Sequence, residues 1–327
     1  MLCPFCLGVV KFAQTRVKNQ PAYSCPDCQE IAPALYVQDY ARYPPVVMSA
    51  VGYRQHGKTV YFSSLFYTLK RLKVASHWPR FLAMGLSDNC LDTVYGNVAL
   101  LEGGRLPNST PKNFPRPTLL RLAGVPKQRD CTLICYDTGG ESFEQPQSMV
   151  QYARFVQRAR TALFLVSVPD LPDTARELYK LLNTYVLGMD KLGADTSNQH
   201  LVIVLTKADR LAERLRPYGE LGLYQEHGSI ARLAEPGEYL AQMHRMSGRI
   251  REFMLRELHA EHFIETATTN FASVSFTMIS ALGGLPGAEG SLQLVPRRVL
   301  DPLLWVLERS LPTWQQQVLS VLGLGGA

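Results

Sequence analysis

The segment Gly52-Tyr53-Arg54-Gln55-His56-Gly57-Lys58-Thr59 constrains this chain more than any other. It has the form G-x-x-x-x-G-K-[ST]. It lies between a continuous apolar run, residues 46–51 (VVMSAV), and a stretch, 58–72, whose Leu65, Leu69 and Leu72 share one helical face. A strand, a glycine-bounded loop and a helix in that order let the backbone curl so that successive N–H groups point at phosphate oxygens. The helix N-terminus adds partial positive charge. Lys58 supplies a point charge for β and γ phosphates, and the Thr59 hydroxyl is suited to Mg²⁺. Gly52, His56, Gly57, Lys58, Thr59 and Val60 are therefore candidate phosphate-binding residues. The loop implies a nucleoside triphosphate and leaves the base open.

The rest of the chain supplies a sheet for such a loop. Residues 118–122 (TLLRL) and 132–136 (TLICY) read as strands. The connection between them is too short for a parallel crossover, so they should pair antiparallel. Residues 162–168 (ALFLVSV) and 201–205 (LVIVL) are almost wholly apolar, as expected of parallel strands buried on both faces, with a helix between them over roughly 173–187. Residues 272–279 form a last strand and 298–311 an amphipathic helix; a further helix is expected near 90–101. The alternation predicts a three-layer α/β/α fold with a mostly parallel sheet and one antiparallel strand. The segment 40–45 (YARYPP) reads as a linker, because Pro44-Pro45 resists both helix and central strand. The expected division is a small module at 1–40 and a large domain at 41–327, with a helical insertion at about 210–260 broken by Pro217, Gly219, Gly222, Gly228 and Pro236.

Three further motifs follow in order. Asp137-Thr138-Gly139-Gly140 comes directly after a predicted strand, where an acid can hold the Mg²⁺ shell and Gly140 lets a backbone N–H approach a γ-phosphate. Thr206-Lys207-Ala208-Asp209 and Ser280-Ala281-Leu282 each follow another strand. With the phosphate loop, these resemble the P-loop GTPases, and more closely their TRAFAC-like class, over roughly 46–310. The resemblance implies that Asp209 accepts hydrogen bonds from guanine, that Lys207 lies over the base, and that the 280–282 loop contacts the guanine carbonyl. It also implies GTP and GDP as ligands, with Thr59 and Asp137 as Mg²⁺ residues. The antiparallel hairpin before Asp137 characterises the same class. Together with the cysteine pairs and Arg298-Val299-Leu300-Asp301, the Asp137–Glu141 run is similar to a bacterial group called double-GTPases, whose members occur in conflict or defence gene neighbourhoods.

The chain departs from the family pattern at Glu141, where signalling GTPases carry Gln and translational GTPases His to orient the attacking water. A carboxylate there faces a negatively charged phosphate, so slow hydrolysis, or a base other than Glu141, is expected. Lys58, Glu141 and Thr110 are the candidate catalytic residues, Thr110 as the first-switch threonine in the loop before the hairpin.

Cys3-Pro4-Phe5-Cys6 and Cys25-Pro26-Asp27-Cys28 have the spacing of a four-thiolate zinc site, a zinc ribbon with no open ligand position; a rubredoxin-type iron site and a redox dithiol are the alternatives. Cys90, Cys131 and Cys135 read as buried apolar side chains. On the ribbon, Lys11, Arg16 and Lys18 with Phe12 and Tyr23 offer a nucleic-acid face. The net charge of +6 over 327 residues shows no strong basic stripe, so a protein partner, through the ribbon or the helical insertion, is favoured. No apolar run spans a bilayer and the N-terminus lacks a signal peptide's basic start, which predicts a cytoplasmic location. Three functional readings stay open: a slow regulatory GTPase, a nucleotide-gated scaffold with little turnover, and a nucleic-acid-associated NTPase.

Overall fold

The computed structural model describes residues 1–17, 20–72, 74–86, 92–226, 235–284 and 294–310. The amino-terminal part holds β1 (Ala13–Val17), β2 (Gln20–Ser24), β3 (Ile31–Ala32) and the short α1 (Ala34–Gln38). The three strands form an antiparallel sheet. Then come β4 (Pro45–Val51), α2 (Lys58–Arg71), α3 (Val74–His77), β5 (Leu82–Gly85), α4 (Asp92–Glu102), β6 (Thr118–Ala123), β7 (Cys131–Tyr136), α5 (Pro146–Tyr152) and β8 (Thr161–Ser167). The remainder is α6 (Thr174–Lys191), β9 (His200–Thr206), α7 (Ala212–Leu215), α8 (Gly219–Glu226), α9 (Pro236–Leu258), α10 (Glu261–Asn270), β10 (Ser273–Met278) and α11 (Asp301–Arg309).

The apolar runs form the centre of a seven-stranded sheet ordered β10-β9-β8-β4-β7-β6-β5. Pairings from β10 through β7 are parallel, while β6 runs against both neighbours. The expected fold class, with its single antiparallel strand, is the fold observed. Side chains alternate between two cores. Val47, Ile134, Phe164 and Ile203 face a layer with Leu181, Tyr185 and Phe263. Met48, Leu133, Leu165 and Val204 face Leu65, Phe62, Trp305 and Met243. Every residue of β8 is buried, which is why its sequence shows no polar alternation.

Several elements differ from expectation. Pro45 opens β4 and pairs with Thr132, so the expected linker ends inside the central sheet. Proline is tolerated at a strand's first residue, where its missing N–H costs least. β5 lies at an edge, where four residues give little periodicity to read. α5 begins with Pro146 at its first turn. α10 follows α9 through His259 in the left-handed region, φ 49°. Cys131 and Cys135 are buried as expected; Cys90, Lys18, Gly228 and Leu311 lie outside the described residues.

The amino-terminal module is packed onto the large sheet. Cys3, Leu7, Phe12, Cys25 and Tyr36 join the core that contains Tyr136 and Phe155. Tyr136 donates its hydroxyl to the Pro4 carbonyl at 2.5 Å. Arg121 of β6 bonds Asp39 at 2.8 Å and lies over the Tyr43 ring.

Candidate nucleotide site and cysteine cluster

The C-terminal ends of β4, β7, β8, β9 and β10 open together, as the crevice of a parallel α/β sheet should. After β4 the chain turns sharply. Gln55 and Gly57 take positive φ, 64° and 84°. A Cβ on Gly52 would sit 2.6 Å from the Leu165 carbonyl, so the loop can approach β8 only with glycine there. Lys58 curls back and donates to the carbonyls of Gly52 at 2.7 Å and Tyr53 at 3.0 Å. Burial lowers its pKa to about 8, while the charges of Asp137 and Glu141 pull it upward.

His56 adds no side chain to the cavity, contrary to a direct ligand role for its ring. Its Nδ1 lies 3.0 Å from the Leu165 carbonyl, so that nitrogen carries the hydrogen. Burial drops its pKa to about 4. The imidazole braces the loop on β8, and its own carbonyl accepts from Thr206 Oγ1 at 3.1 Å. Val60 follows Thr59 in the first turn of α2 and lines the cavity.

Three oxygens converge where a cation would sit. Thr59 Oγ1 and Thr110 Oγ1 are 2.6 Å apart, and Thr110 Oγ1 donates to Asp137 Oδ2 at 3.0 Å. Asp137 Oδ1 is buried without a partner. Burial raises the pKa of this carboxyl, against the hydrogen bonds from Thr59 and Thr110 and the Lys58 charge. A buried, unpartnered carboxylate oxygen beside two hydroxyls suits a hard divalent cation. Thr138 ties the same turn to the Thr110 loop by donating to the Asn113 carbonyl at 3.2 Å.

At the other end, Ser280 donates to Asp209, and Ser64 of α2 donates to the Ala281 carbonyl at 2.6 Å. Lys207 takes φ 57° and reaches the Gln55 carbonyl at 3.1 Å. The Leu282 carbonyl accepts from Val295 N at 2.9 Å. Thus the four motifs lie around one cavity of about 740 Å³, lined among others by Lys58, Thr59, Thr110, Gly140, Glu141, Lys207 and Asp209. That volume is on the scale of small-molecule and cofactor pockets.

The sequence motifs do not point to Asp170 or Arg54, an acid and a base that also line the cavity. Asp170, just beyond β8, pairs with Lys207 and with Arg210 at 2.6 Å. Burial disfavours its charge, but hydrogen bonds from Lys207, Ser167 and Arg210 hold its pKa down to about 2. Its place at a parallel strand's C-terminal end was the available signal. Arg54 occupies a variable position of the phosphate loop, where the pattern assigns no residue, and pairs with Glu141 at 3.1 Å.

The four patterned cysteines meet as their spacing predicts. Their Sγ atoms all lie within 4.8 Å of one another, with Cys3–Cys28 at 3.8 Å and Cys6–Cys25 at 3.7 Å. Sulfurs on a tetrahedral zinc, ~2.3 Å from the metal, are about 3.8 Å apart. The cluster can hold Zn²⁺. Phe12 is buried edge-on to Tyr36, so it is removed from the expected nucleic-acid face, where it would have to be exposed to stack. Glu30 of the module pairs with Arg116 at 3.1 Å, in the loop that carries Thr110. A second cleft of about 1000 Å³ runs between module and loop as far as Thr59 and Asp137.

A glycine-bounded loop between strand and helix on a mostly parallel sheet, with a cavity at the strand ends, defines a P-loop-type α/β fold. The sequence profile of the Double-GTPase 2 family matches residues 46–281, most of the chain, and the protein belongs to that family. Comparison with curated proteins gives no match. Among solved structures the chain is similar to apo translation elongation factor SelB from Methanococcus maripaludis. Identity there is 12%, coverage 81% of this chain and 33% of that one, and the TM-score 0.32. It is also similar to the S. cerevisiae Ski7 GTPase-like domain bound to GDP and inorganic phosphate, at 13% identity, 84% and 53% coverage and a TM-score of 0.36. The chain thus spans between a third and about half of those chains, and such distant likenesses add nothing to the family assignment. Among the described residues no helix is long and apolar enough to cross a membrane.

Proposed function

We propose that the protein is a slow regulatory GTPase that binds Mg²⁺·GTP in the 740 Å³ cavity and passes its nucleotide state to a protein partner. The observation that carries this reading is the Thr59–Thr110–Asp137 cluster. It joins the phosphate loop, the first-switch loop and the Asp137–Gly140 turn within hydrogen-bond distance. In this reading Thr59, Thr110 and Asp137 hold the magnesium, which supplies charge neutralisation to the phosphates. Lys58 exchanges its bonds to the loop carbonyls for β and γ phosphate oxygens. Gly52 and Gly57 shape the loop, and Val60 lies at its helix start.

Asp209 reads guanine, Lys207 covers the base, Thr206 ties the base loop to the phosphate loop, and Ser280, Ala281 and Leu282 close the pocket. Gly140 sets the turn at the γ-phosphate, and Glu141 lies beside the reacting end in the place of the family's Gln or His, so hydrolysis is slow. Residues 1–40 act as a zinc ribbon on Cys3, Cys6, Cys25 and Cys28. The Glu30–Arg116 pair supports the ribbon as the element that senses the first switch, ahead of the helical insertion at about 210–260. A cytoplasmic location fits this role.

Titration of GDP against ADP tests the base. GDP should bind about tenfold to a hundredfold more tightly, since adenine leaves the half-buried Asp209 acceptor unpaired. Asp209→Asn should lower GDP affinity and raise that for xanthosine diphosphate; intact GDP affinity in this variant would exclude the base pocket described. Single-turnover hydrolysis by Glu141→Ala, unchanged from wild type, would remove Glu141 from the mechanism.

A further inference from the structure

Arg54 and Glu141 face each other across the phosphate end of the cavity and both line it. Arg54 Nε lies 3.1 Å from Glu141 Oε1, with side chains 64% and 24% exposed. The backbones beneath are equally close. A Cβ on Gly140 would sit 2.2 Å from the Arg54 nitrogen, so the turn bearing Glu141 is seated on the phosphate loop itself. The Glu141 carboxylate returns toward Gly139, where an added Cβ would lie 2.8 Å from Oε2. Glu141 is also near enough to Lys58, the cation placed for the phosphates, to raise its proton affinity.

This arrangement creates an electrostatic conflict. A γ-phosphate held by Lys58 would bring a second concentration of negative charge beside the Glu141 carboxylate. Like charges a few ångströms apart at a partly solvated site repel by an amount that shows directly in affinity. Lys58 cannot resolve the conflict alone, because it must also offset Asp137 and the phosphates. Arg54 is the cation in contact with Glu141, and its exposed guanidinium sits outside the crowded phosphate loop.

We propose that Arg54 is a positioning residue that lets this site accept a γ-phosphate: it neutralises Glu141 and holds the 139–141 turn against the phosphate loop. The proposal rests on the GTP-site reading above and adds a specific dependence to it. Preference for triphosphate over diphosphate requires Arg54 only while residue 141 carries a negative charge. GDP has no γ-phosphate and is indifferent to the pair.

The test is a double-mutant cycle read by nucleotide affinity. A non-hydrolysable GTP analogue and GDP are titrated, with Mg²⁺, against full-length wild type, Arg54→Ala, Arg54→Lys, Glu141→Gln and the Arg54→Ala/Glu141→Gln double variant. Arg54→Ala should lower analogue affinity about tenfold, the scale of one screened unit charge, and leave GDP within about twofold. Arg54→Lys should retain most of the analogue affinity. The double variant should bind the analogue within about twofold of Glu141→Gln alone.

Equal losses for GDP and analogue in Arg54→Ala would overturn the proposal, because Arg54 would then only support the loop. A loss that Glu141→Gln fails to relieve would overturn it too, because Arg54 would then act on the phosphate directly. Normal GDP binding by each variant shows that it is folded. Failure of the wild type to bind either nucleotide would be a different result, removing the GTP site itself.

Discussion

A charged imidazolium relies on hydration, and the buried His56 ring is cut off from it. Its ring is buried, Nδ1 donates to the Leu165 carbonyl, and the nearby Lys58 and Lys207 add further penalty, leaving a pKa of about 4. In the unfolded chain a histidine titrates near ~6.5. Between these values the unfolded state binds more protons than the folded one, so stability rises with pH across the window and is lost as pH falls from about 6.5 toward 4. His56→Asn keeps a donor for Leu165 and removes the titration. Its unfolding free energy should fall less steeply with acid than that of the wild type, the two losses differing by about 1–3 kcal/mol at pH 4 in denaturant unfolding. Equal slopes would place the acid sensitivity elsewhere. At this scale the sequence could place Lys58 and Thr59 from the phosphate-loop pattern, and Asp137 and Asp209 from the motifs after β7 and β9, at the end of the sheet where the cavity opens. His56 and Arg54 fill variable positions of the phosphate loop, and only the fold shows that one points into the core and the other toward Glu141. Thr110 lay in an aperiodic, proline-rich loop, and its meeting with Thr59 depends on how that loop returns.

Among the elements, α11 carries a group that sequence reasoning would place at the surface. Arg298 and Asp301 have fully buried side chains and pair at 2.9 Å. Asp301 also accepts from Tyr224 of α8 and, at 2.5 Å, from Tyr239 of α9. The Arg298 guanidinium lies 3.8 Å and 4.2 Å from the centres of those two rings. The pair sews the helical insertion and α11 onto the end of β10, where Arg297 exchanges backbone hydrogen bonds with Ser280. Asp301→Asn leaves a buried cation without its counter-charge and should cost about 3–5 kcal/mol in denaturant unfolding. A cost below about 1 kcal/mol would mean that water or another group reaches Arg298. The sheet strands were legible because both-face burial writes continuous apolar runs such as residues 201–205. The short edge strand β5 and helix α10 were not, since neither has enough periodic residues to stand out from its flanks. The Arg298–Asp301 pair was invisible because charged residues are rarely fully buried, and burial here depends on two tyrosines more than fifty residues away.

For the whole molecule, the question is whether residues 1–40 are an appendage or part of the switch. The cysteine cluster shares a core with Tyr136, whose hydroxyl holds the Pro4 carbonyl and whose next residue is Asp137. Glu30 holds Arg116 in the loop that carries Thr110. Two chain segments of the Thr59–Thr110–Asp137 cluster are therefore in direct contact with the module. Four thiols crowded within 4.8 Å need a cation to be stable as thiolates, and a module of this size has little core of its own. Native protein should contain one zinc per chain by elemental analysis. Cys25→Ser, or chelation, should release it and lower the thermal midpoint by about 5 °C or more, as expected for a few kcal/mol lost in a domain of this size. The sharper consequence concerns function. In the proposed reading, GDP binding draws mainly on the phosphate loop and Asp209, whereas the triphosphate state also needs Thr110 and Asp137 in place. Zinc loss should therefore weaken binding of a GTP analogue with Mg²⁺ several-fold more than binding of GDP. Equal effects on both nucleotides would show that the module stabilises the fold without sensing the switch, and a zinc-free native protein would remove the metal from the account altogether.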